Sequence, residues 1–391
     1  MKPFDTLVIG AGPAGATAAL LLARAGESVA IVEKAAFPRR KVCGEYISAT
    51  TWPLLRALDV AAELEGDCGP PVRRVGLFAG DTAIGAPMPR ASGPGDAYGR
   101  AIARDVLDTA LLARARHYGA EVWQPFAVER LRGAPGEFEA DLRSAADRST
   151  AVLRARRVIA AHGSWEHGEL ATQRPRAVAR ASDLFGFKAH FIGATLETGL
   201  MPLLLFPGGY GGMVHGGRGR VSFSCCIRRD ALAACRRRYP GLGAGEAVIA
   251  HARAACRGVR ESLRGAALAD PWLSAGPIRP GIRPRASGGL FAIGNAAGEA
   301  HPLVAEGISM AIQSAWLLCE SLGHAAPERE YPVRWRRHFA MRVRASSLFA
   351  ALTTSPRSAA LSAALMKRAP ALLTWGARCS GKAHTLRTES P

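Results

Sequence analysis

Hydrophobic positions follow two different rhythms along this chain, and the switches between them divide it. From Asp5 to Lys34 a short apolar run (Leu7, Val8, Ile9) leads into a glycine-rich turn, a helix-forming stretch of small residues as far as Gly26, and a second apolar run from Val29 to Val32. Runs this short and apolar on both faces predict buried parallel strands joined by a helix. A helix pattern from Arg104 to His117, the strand-like GAEVWQPFAV and the apolar Val158-Ile159-Ala160-Ala161, broken at Gly163, extend the same layer. So does the strand, turn, loop and long helix of residues 290–322. Between these blocks the period falls to two. Phe185, Phe187, Ala189 and Phe191 share one face and Lys188 and His190 the other, while Val221, Phe223, Cys225 and Ile227 alternate with Ser222, Ser224 and Cys226. That alternation predicts an antiparallel sheet with one buried face. Pro207-Gly208-Gly209 supplies a tight connection within it, and residues 72–79 an edge strand.

The expected fold class is therefore α/β. A Rossmann-like nucleotide-binding domain (residues 1–70, 96–170 and 280–326) is interrupted by a mostly antiparallel β-sheet domain for substrate (residues 71–95 and 171–279). Residues 327–391 form a basic helical C-terminal region, which Pro356 and Pro370 break into short helices. From Glu328 onward 12 Arg or Lys face 3 Glu, with Trp335, Phe339, Leu348, Phe349 and Trp375 interleaved. This region either caps the core or presents a basic amphipathic surface to an anionic membrane.

The turn after the first strand carries candidate chemistry. It reads Gly10-x-Gly12-x-x-Gly15, and Glu33 follows Gly10 by 23 residues. Gly10 permits the tight turn, Gly12 lets a diphosphate approach the backbone, and Gly15 lets helix and strand pack closely. Pro13 suits the first helical position, where its missing N–H has no partner to lose. The diphosphate would rest on the positive end of this helix, with Glu33 accepting hydrogen bonds from a ribose. A strand, glycine turn, helix, strand and acid in this order predict a dinucleotide site.

Composition narrows the remaining choices. The 391 residues allow two or three domains and a large core. A formal excess of 19 positive charges favours anionic partners. The charge is scattered, however, and no RNP signature, zinc-finger spacing or basic-region heptad accompanies it, so nucleic acid is not the expected partner. Eight cysteines, at 43, 68, 225, 226, 235, 256, 319 and 379, make no CxxC pair, and neither a metal site nor a disulfide framework is expected. No apolar run reaches the ~18 residues that span a bilayer. The first strand begins within five residues of Met1, so no signal peptide is expected. The expected compartment is a reducing cytoplasm, with peripheral membrane contact through the C-terminal region left open.

Three signatures now stand in order: the N-terminal fingerprint, FPRRKVCGEYIS at 37–48, and IGNAAGEAHPLVAEGISMA at 293–311. Together, over about residues 1–325, they resemble the FAD-dependent oxidoreductases that include geranylgeranyl reductases and aromatic-ring hydroxylases. The resemblance implies FAD as cofactor, a hydrophobic small-molecule substrate and, since no second GxGxxG unit exists, NAD(P)H as a transient electron donor. It assigns the FAD diphosphate to Gly10, Gly12, Pro13, Ala14 and Gly15, and the adenosine ribose to Glu33 with Lys34 beside it. Arg40 and Lys41 match a basic pair beside the flavin, and Arg104 matches an arginine near the cofactor. Gly294-Asn295, in a turn closed by Gly298, stands where the family has Gly-Asp. Asn keeps an acceptor oxygen but loses the charge, which weakens that hydrogen bond by roughly 1 kcal/mol. Gly307 and Ile308 open a helix whose positive end, in the family, faces the pyrimidine side of the flavin and stabilises its anionic reduced form. Ala305 stands where glycine is more frequent.

Two departures bear on the reaction. His162, in Ala161-His162-Gly163-Ser164-Trp165, replaces the Asp of an Asp-Gly pair that serves FAD and NADPH in ring hydroxylases. The WxWxIP segment of flavin-dependent halogenases is absent, so halogenation is not expected. In the geranylgeranyl-reductase-like branch the cysteine matching Cys43 lies beside the flavin and is implicated in reduction; the other reading of Cys43 is a buried, inert thiol. His301 is either an acid or base near the substrate or a structural loop residue. Lys188, His190, Phe206 and Tyr210 are the candidate substrate contacts, although Lys188 and His190 also suit a solvated face and Tyr210 a plain hairpin. Hydroxylation of a polyketide-like or aromatic molecule is the expected reaction, by fold-level analogy. Reduction of a C=C bond in an isoprenoid or lipid is the alternative, and a non-catalytic flavin-binding or basic scaffold the third reading. Nothing in the chain indicates an oligomeric state.

Overall fold

A computed structural model describes residues 2–92, 96–164, 168, 170–173, 178–354 and 356–382. Strand β1 (Phe4–Ile9), helix α1 (Pro13–Arg24) and strand β2 (Val29–Val32) open the chain as a βαβ unit. Strands β3 (Arg74–Ala79) and β4 (Thr82–Pro87) follow, then helix α2 (Arg104–His117) and strands β5 (Glu121–Trp123), β6 (Phe126–Ala134), β7 (Glu137–Ser144) and β8 (Thr150–Ala160). Next come β9 (Leu184–Ile192), β10 (Leu200–Phe206), β11 (Gly209–His215) and β12 (Arg220–Arg228), and helices α3 (Arg229–Arg238) and α4 (Ala244–Ala255). The chain then forms β13 (Leu273–Ile278), β14 (Leu290–Ala292), α5 (Gly307–Leu322), α6 (Pro327–Thr354), α7 (Pro356–Arg368) and α8 (Ala371–Ala377).

The first sheet has the parallel order β14-β8-β1-β2-β5. Val8 lies in register between Ile159 and Ile31, so β1 is central. Parallel strands need cover on both faces. Helices α1, α2 and α5 bury one face, and the antiparallel strands β6, β7 and β8 fold over the other. GAEVWQPFAV, read as one strand, is two: Pro125 lacks a ladder donor and separates β5 from β6.

The second sheet runs β9-β12-β11-β10-β3-β4, with β13 added on β9, and is antiparallel except where β10 meets β3. The edge belongs to β4, because β3 is paired on both sides. One face, bearing Phe187, Ala189, Phe191, Phe223 and Ile227, packs on α3, α4 and a short helix at Arg257–Ser262. The alternate face, expected to face solvent or a cavity, is buried as well: Lys188 is 1% and His190 4% exposed. Residues 43–46 lie against it and carry the partner charge described below.

The basic C-terminal region forms one long helix of 28 residues, α6, before α7 begins at Pro356, rather than short helices throughout. Tyr331, Trp335, Phe339 and Val343, spaced four apart, are buried in the same core as α1 and α5. The Tyr331 hydroxyl donates to the Ala292 carbonyl at 2.7 Å. Trp335 lies over Gly298, where a Cβ would stand 2.2 Å from the ring. Among the described residues no helix is long and apolar enough to cross a membrane, and all eight cysteines are free. Replacing Trp335 with Ala should cost about 3–5 kcal/mol in denaturant unfolding; a loss under about 1 kcal/mol would mean that α6 is not part of the core.

Candidate active site

The glycine turn has the geometry its sequence predicts. Gly10 has φ +102°, and a Cβ there would sit 2.7 Å from the Ala161 carbonyl oxygen. A Cβ on Gly15 would fall 1.8 Å from the Gly10 carbonyl, so α1 touches the turn backbone to backbone. Gly12 is the N-cap of α1, with no side chain capping the helix, and Pro13 opens it. Above Gly12 the nearest group is the Arg104 guanidinium, 3.6 Å from where a Cβ would be. Glu33 accepts from the backbone N–H of Ala11 (2.9 Å) and of Ala35 (3.0 Å), which fixes its carboxylate at the rim. Lys34 lies beside it in the same wall.

A second uncapped helix end meets this turn. Gly307 begins α5, nothing lies within 4 Å of where its Cβ would be, and Ile308 and Ala311 line the same cavity as Gly12 and Ala14. Gly294 (φ +58°) comes so close to α1 that a Cβ would stand 2.9 Å from Ala14, and its N–H donates to Ser314 Oγ at 2.7 Å. Ala305 holds the left-handed conformation (φ +52°) that glycine adopts freely, at a cost of about 1 kcal/mol or more. Two helix N-termini with free N–H groups and no first-turn acid thus face one open space, the arrangement that a diphosphate and an electron-rich ring system require. The residues present fit FAD.

Several assigned contacts are redistributed. Arg39, not Arg40, reaches the cavity: it spans Asp108 (3.1 Å) and Glu33 (3.5 Å) and stacks on Phe37, its guanidinium carbon 4.6 Å from the ring centroid. Side chains alternate along this extended stretch, so Arg40 points away to the Pro271 carbonyl (3.0 Å) and Asp270 (3.9 Å), and Lys41 returns to the cavity. Arg104 lines the cavity and makes a bidentate pair with Asp108 at 2.8 and 2.7 Å. Gly298 does not reach the cavity, since its lack of a side chain serves Trp335. Asn295 does, and its amide donates to Glu299 Oε1 at 3.0 Å. Glu299 is buried, takes a second bond from Ser164 (2.7 Å) and lines the cavity; it restores, four residues on, a carboxylate that position 295 lacks. His162 is also in the wall, held between the carbonyls of Gly163 and Thr172 at 3.1 Å each, whereas Trp165 lies outside the described residues.

Beyond the cradle the cavity, about 600 Å³ in volume, turns apolar. Met201, Leu203, Leu303, Met366, Leu372 and Leu373 line it, the last three contributed by α7 and α8. Tyr210 and His301 meet in its wall, the phenol oxygen 2.6 Å from Nδ1. Burial lowers the His301 pKa to about 4, and the His301 backbone N–H is anchored on Ser346 of α6 at 2.9 Å. Cys43 also lines the cavity, accepts from the Glu45 N–H at 3.4 Å and interacts with Arg104. Phe206 does not line it. Residue parity along β10 turns it to the helical face, where it meets His251 edge-on.

Lys188 and His190 are likewise behind the cavity rather than in it. Both bind Glu45, a residue no motif reading singled out: Lys188 as an ion pair, His190 through Nε2 at 2.8 Å. His190 Nδ1 lies 3.2 Å from Asp270, which Arg220 also reaches at 3.3 Å. Glu45 itself lines the cavity, is 2% exposed and has φ +64°. Burial alone would raise its pKa, but the His190 hydrogen bond and the Lys188 charge bring it down to about 2. Lys382, also missed, reaches from the C-terminal segment to Glu306 (3.0 Å) and the Val304 carbonyl (2.6 Å) at the start of α5. Only the CGE triplet and the second of two C-terminal lysines hinted at these positions.

Comparison with known proteins places this geometry. Residues 3–183 match the FAD binding domain family. Conditioned medium factor receptor 1 of Dictyostelium discoideum is 26% identical over 353 residues, 84% of this chain and 64% of that protein. A menaquinone reductase of Mycobacterium tuberculosis is 36% identical over 118 residues, 30% of this chain and 28% of that one. The chain therefore spans less than two thirds of either relative's length. The flavin-dependent brominase Bmp2 shares the fold, with a TM-score of 0.77 at 17% identity over 97% of this chain and 94% of that one.

Gly12 separates cofactor binding from folding. Gly12→Ala should leave apoprotein unfolding unchanged, because its backbone is extended and its Cβ meets only ordinary contact, yet weaken flavin retention about tenfold or more, read as flavin absorbance per chain. Gly10→Ala should instead destabilise the fold itself, through its left-handed φ and the Ala161 clash. The glycine cradle, the paired helix ends and the FAD binding domain matched over residues 3–183 together make FAD the cofactor of this chain.

Proposed function

We propose that this protein hydroxylates an apolar small molecule, aromatic or polyketide-like, using O₂ and a transiently bound NAD(P)H. In the net reaction a C–H becomes C–OH, one oxygen atom enters the product, the other leaves as water, and NAD(P)H supplies two electrons. Bound FAD supplies the two-electron chemistry that links donor to acceptor. Gly10, Gly12, Ala14, Glu33, Arg39, Arg104, Gly307 and Ile308 would hold it. The chain's other contribution is to exclude water and position the substrate in the apolar chamber beneath α7 and α8.

The observation that carries this reading is the Tyr210–His301 pair in the chamber wall. His301 is neutral at physiological pH, since burial lowers its pKa to about 4. Tyr210 is held well above its usual pKa, by burial first and then by the neighbouring Cys226 thiol. Neither group readily releases a proton. With His301 Nδ1–H donating to the phenol oxygen, Nε2 is an acceptor suited to hold and orient the hydroxyl of a phenolic substrate, whose ring is electron-rich enough for oxygenation. Saturating a C=C bond would instead require a ready proton donor. One observation favours that second reading: the Cys43 thiol lies in the cavity wall, and a menaquinone reductase is 36% identical over 118 residues of this chain. Halogenation is not proposed, because the WxWxIP segment is absent and the likeness to the brominase is one of fold.

Turnover of a panel of alkyl-substituted phenols under ¹⁸O₂ discriminates the two. Label in the product is expected; turnover that proceeds without oxygen, with a double bond saturated, would sink the hydroxylase reading. Acid sensitivity gives a second check on His301. Its folded pKa lies below its unfolded value, so its contribution to stability is present above pH 6.5 and is lost as pH falls through about 4. The loss amounts to ~3 kcal/mol, and His301→Gln should flatten that part of the pH dependence of the urea midpoint.

A further inference from the structure

The C-terminal helices carry charge of a single sign. Between Tyr331 and Lys382 the chain has ten Arg or Lys and no Asp or Glu. Helix α6 buries the stripe Tyr331, Trp335, Phe339 and Val343; its opposite stripe, Arg337, Met341, Arg344 and Leu348, lies open at spacings of three and four residues. Met341 is 79% and Leu348 62% exposed. Helix α7, packed on α6, continues this with Leu361, Leu365 and Arg368, the two leucines 72% and 56% exposed. Trp375 on α8 is 58% exposed. An ordinary solvated helix face intersperses both signs of charge and few large apolar side chains. This one has large apolar side chains set among cations, with no acid to offset them. Leu365 and Trp375 also line the cavity, so the exposed apolar residues include its mouth.

We propose that this face docks on an anionic lipid bilayer and opens the cavity mouth toward it. Met341, Leu348, Leu361, Leu365 and Trp375 enter the region between headgroups and acyl chains, as the apolar side of an interfacial helix does. Arg337, Arg344 and Arg368 meet anionic headgroups, an attraction that salt screens. Indole favours this depth because one end of it is apolar and the other wet. An acidic protein partner would account for the arginines but not for five bare apolar side chains beside them. Access of an apolar substrate from the bilayer through Leu365 and Trp375 rests on the function proposed above; the docking itself does not.

The test uses the full-length, flavin-loaded protein. It is sedimented with vesicles of phosphatidylcholine alone, or mixed equally with phosphatidylglycerol, over a range of NaCl. Binding to the anionic vesicles is expected, falling as salt rises. The R337E/R344E double variant, altered at two exposed positions, should keep the wild-type unfolding curve while its vesicle partition falls about tenfold or more. Vesicles with brominated acyl chains should quench part of the tryptophan emission, and that part should vanish in Trp375→Leu. Equal binding to neutral and anionic vesicles, no sedimentation with either, or quenching unchanged in Trp375→Leu would overturn the proposal. So would light scattering that shows the wild type as a dimer dispersed by R337E/R344E, which would assign the face to a second copy. No turnover enters these readouts, so their failure leaves the oxidoreductase reading standing.

Discussion

The whole site depends on backbone approaching backbone without side chains between. Gly10 turns under the Ala161 carbonyl, Gly15 sits on the Gly10 carbonyl, and Gly294 rests against Ala14. A methyl group would force Gly10 from the end of β8, α1 from the glycine turn at Gly15, or the 294 loop from α1 at Gly294. Because none is there, the N-termini of α1 and α5, which belong to opposite ends of the chain, open onto one space. Dipoles that would otherwise be solvated separately act on the same ligand.

A second constraint ties the two sheets together. The polar face of β9 lies buried, which is tolerable only because its charges are paired there. Glu45 neutralises Lys188 and is bonded by His190, which is bridged in turn to Asp270 near the surface. Removing either Glu45 or Lys188 would strand a buried charge, at a cost on the order of 3–5 kcal/mol. Glu306 and Lys382 do the same at the start of α5, fastening the C-terminal segment to the helix end that faces the cavity. These pairs hold the walls of the cavity in register.

The cavity that results has two chemical ends. The cradle is polar, with Glu33, Arg39, Arg104 and Glu299 in its wall, and suits a phosphate-bearing cofactor. The far chamber is apolar, floored by β10 and β11 and roofed by α7 and α8, with the Tyr210–His301 pair as its polar feature. The helices that roof it also carry the exposed basic and apolar surface, so the chamber adjoins the molecule's outer face.

How much of this was legible beforehand follows from the range of the interactions involved. Gly10, Gly12, Gly15, Glu33, Gly294 and Gly307 are determined locally: turn geometry and helix ends leave a mark within a few residues, and the period of apolar positions marks each strand. That sufficed for both sheets and for the cofactor. Parity within an extended segment decided Arg39 over Arg40 and turned Phe206 away, and parity needs the strand's orientation, which only packing supplies. Glu45, Glu299 and Lys382 left little mark because their partners, Lys188, Ser164 and Glu306, lie 76 to 143 residues away along the chain. A buried charge is readable only once its counter-charge is in place, and long-range folding alone puts it there.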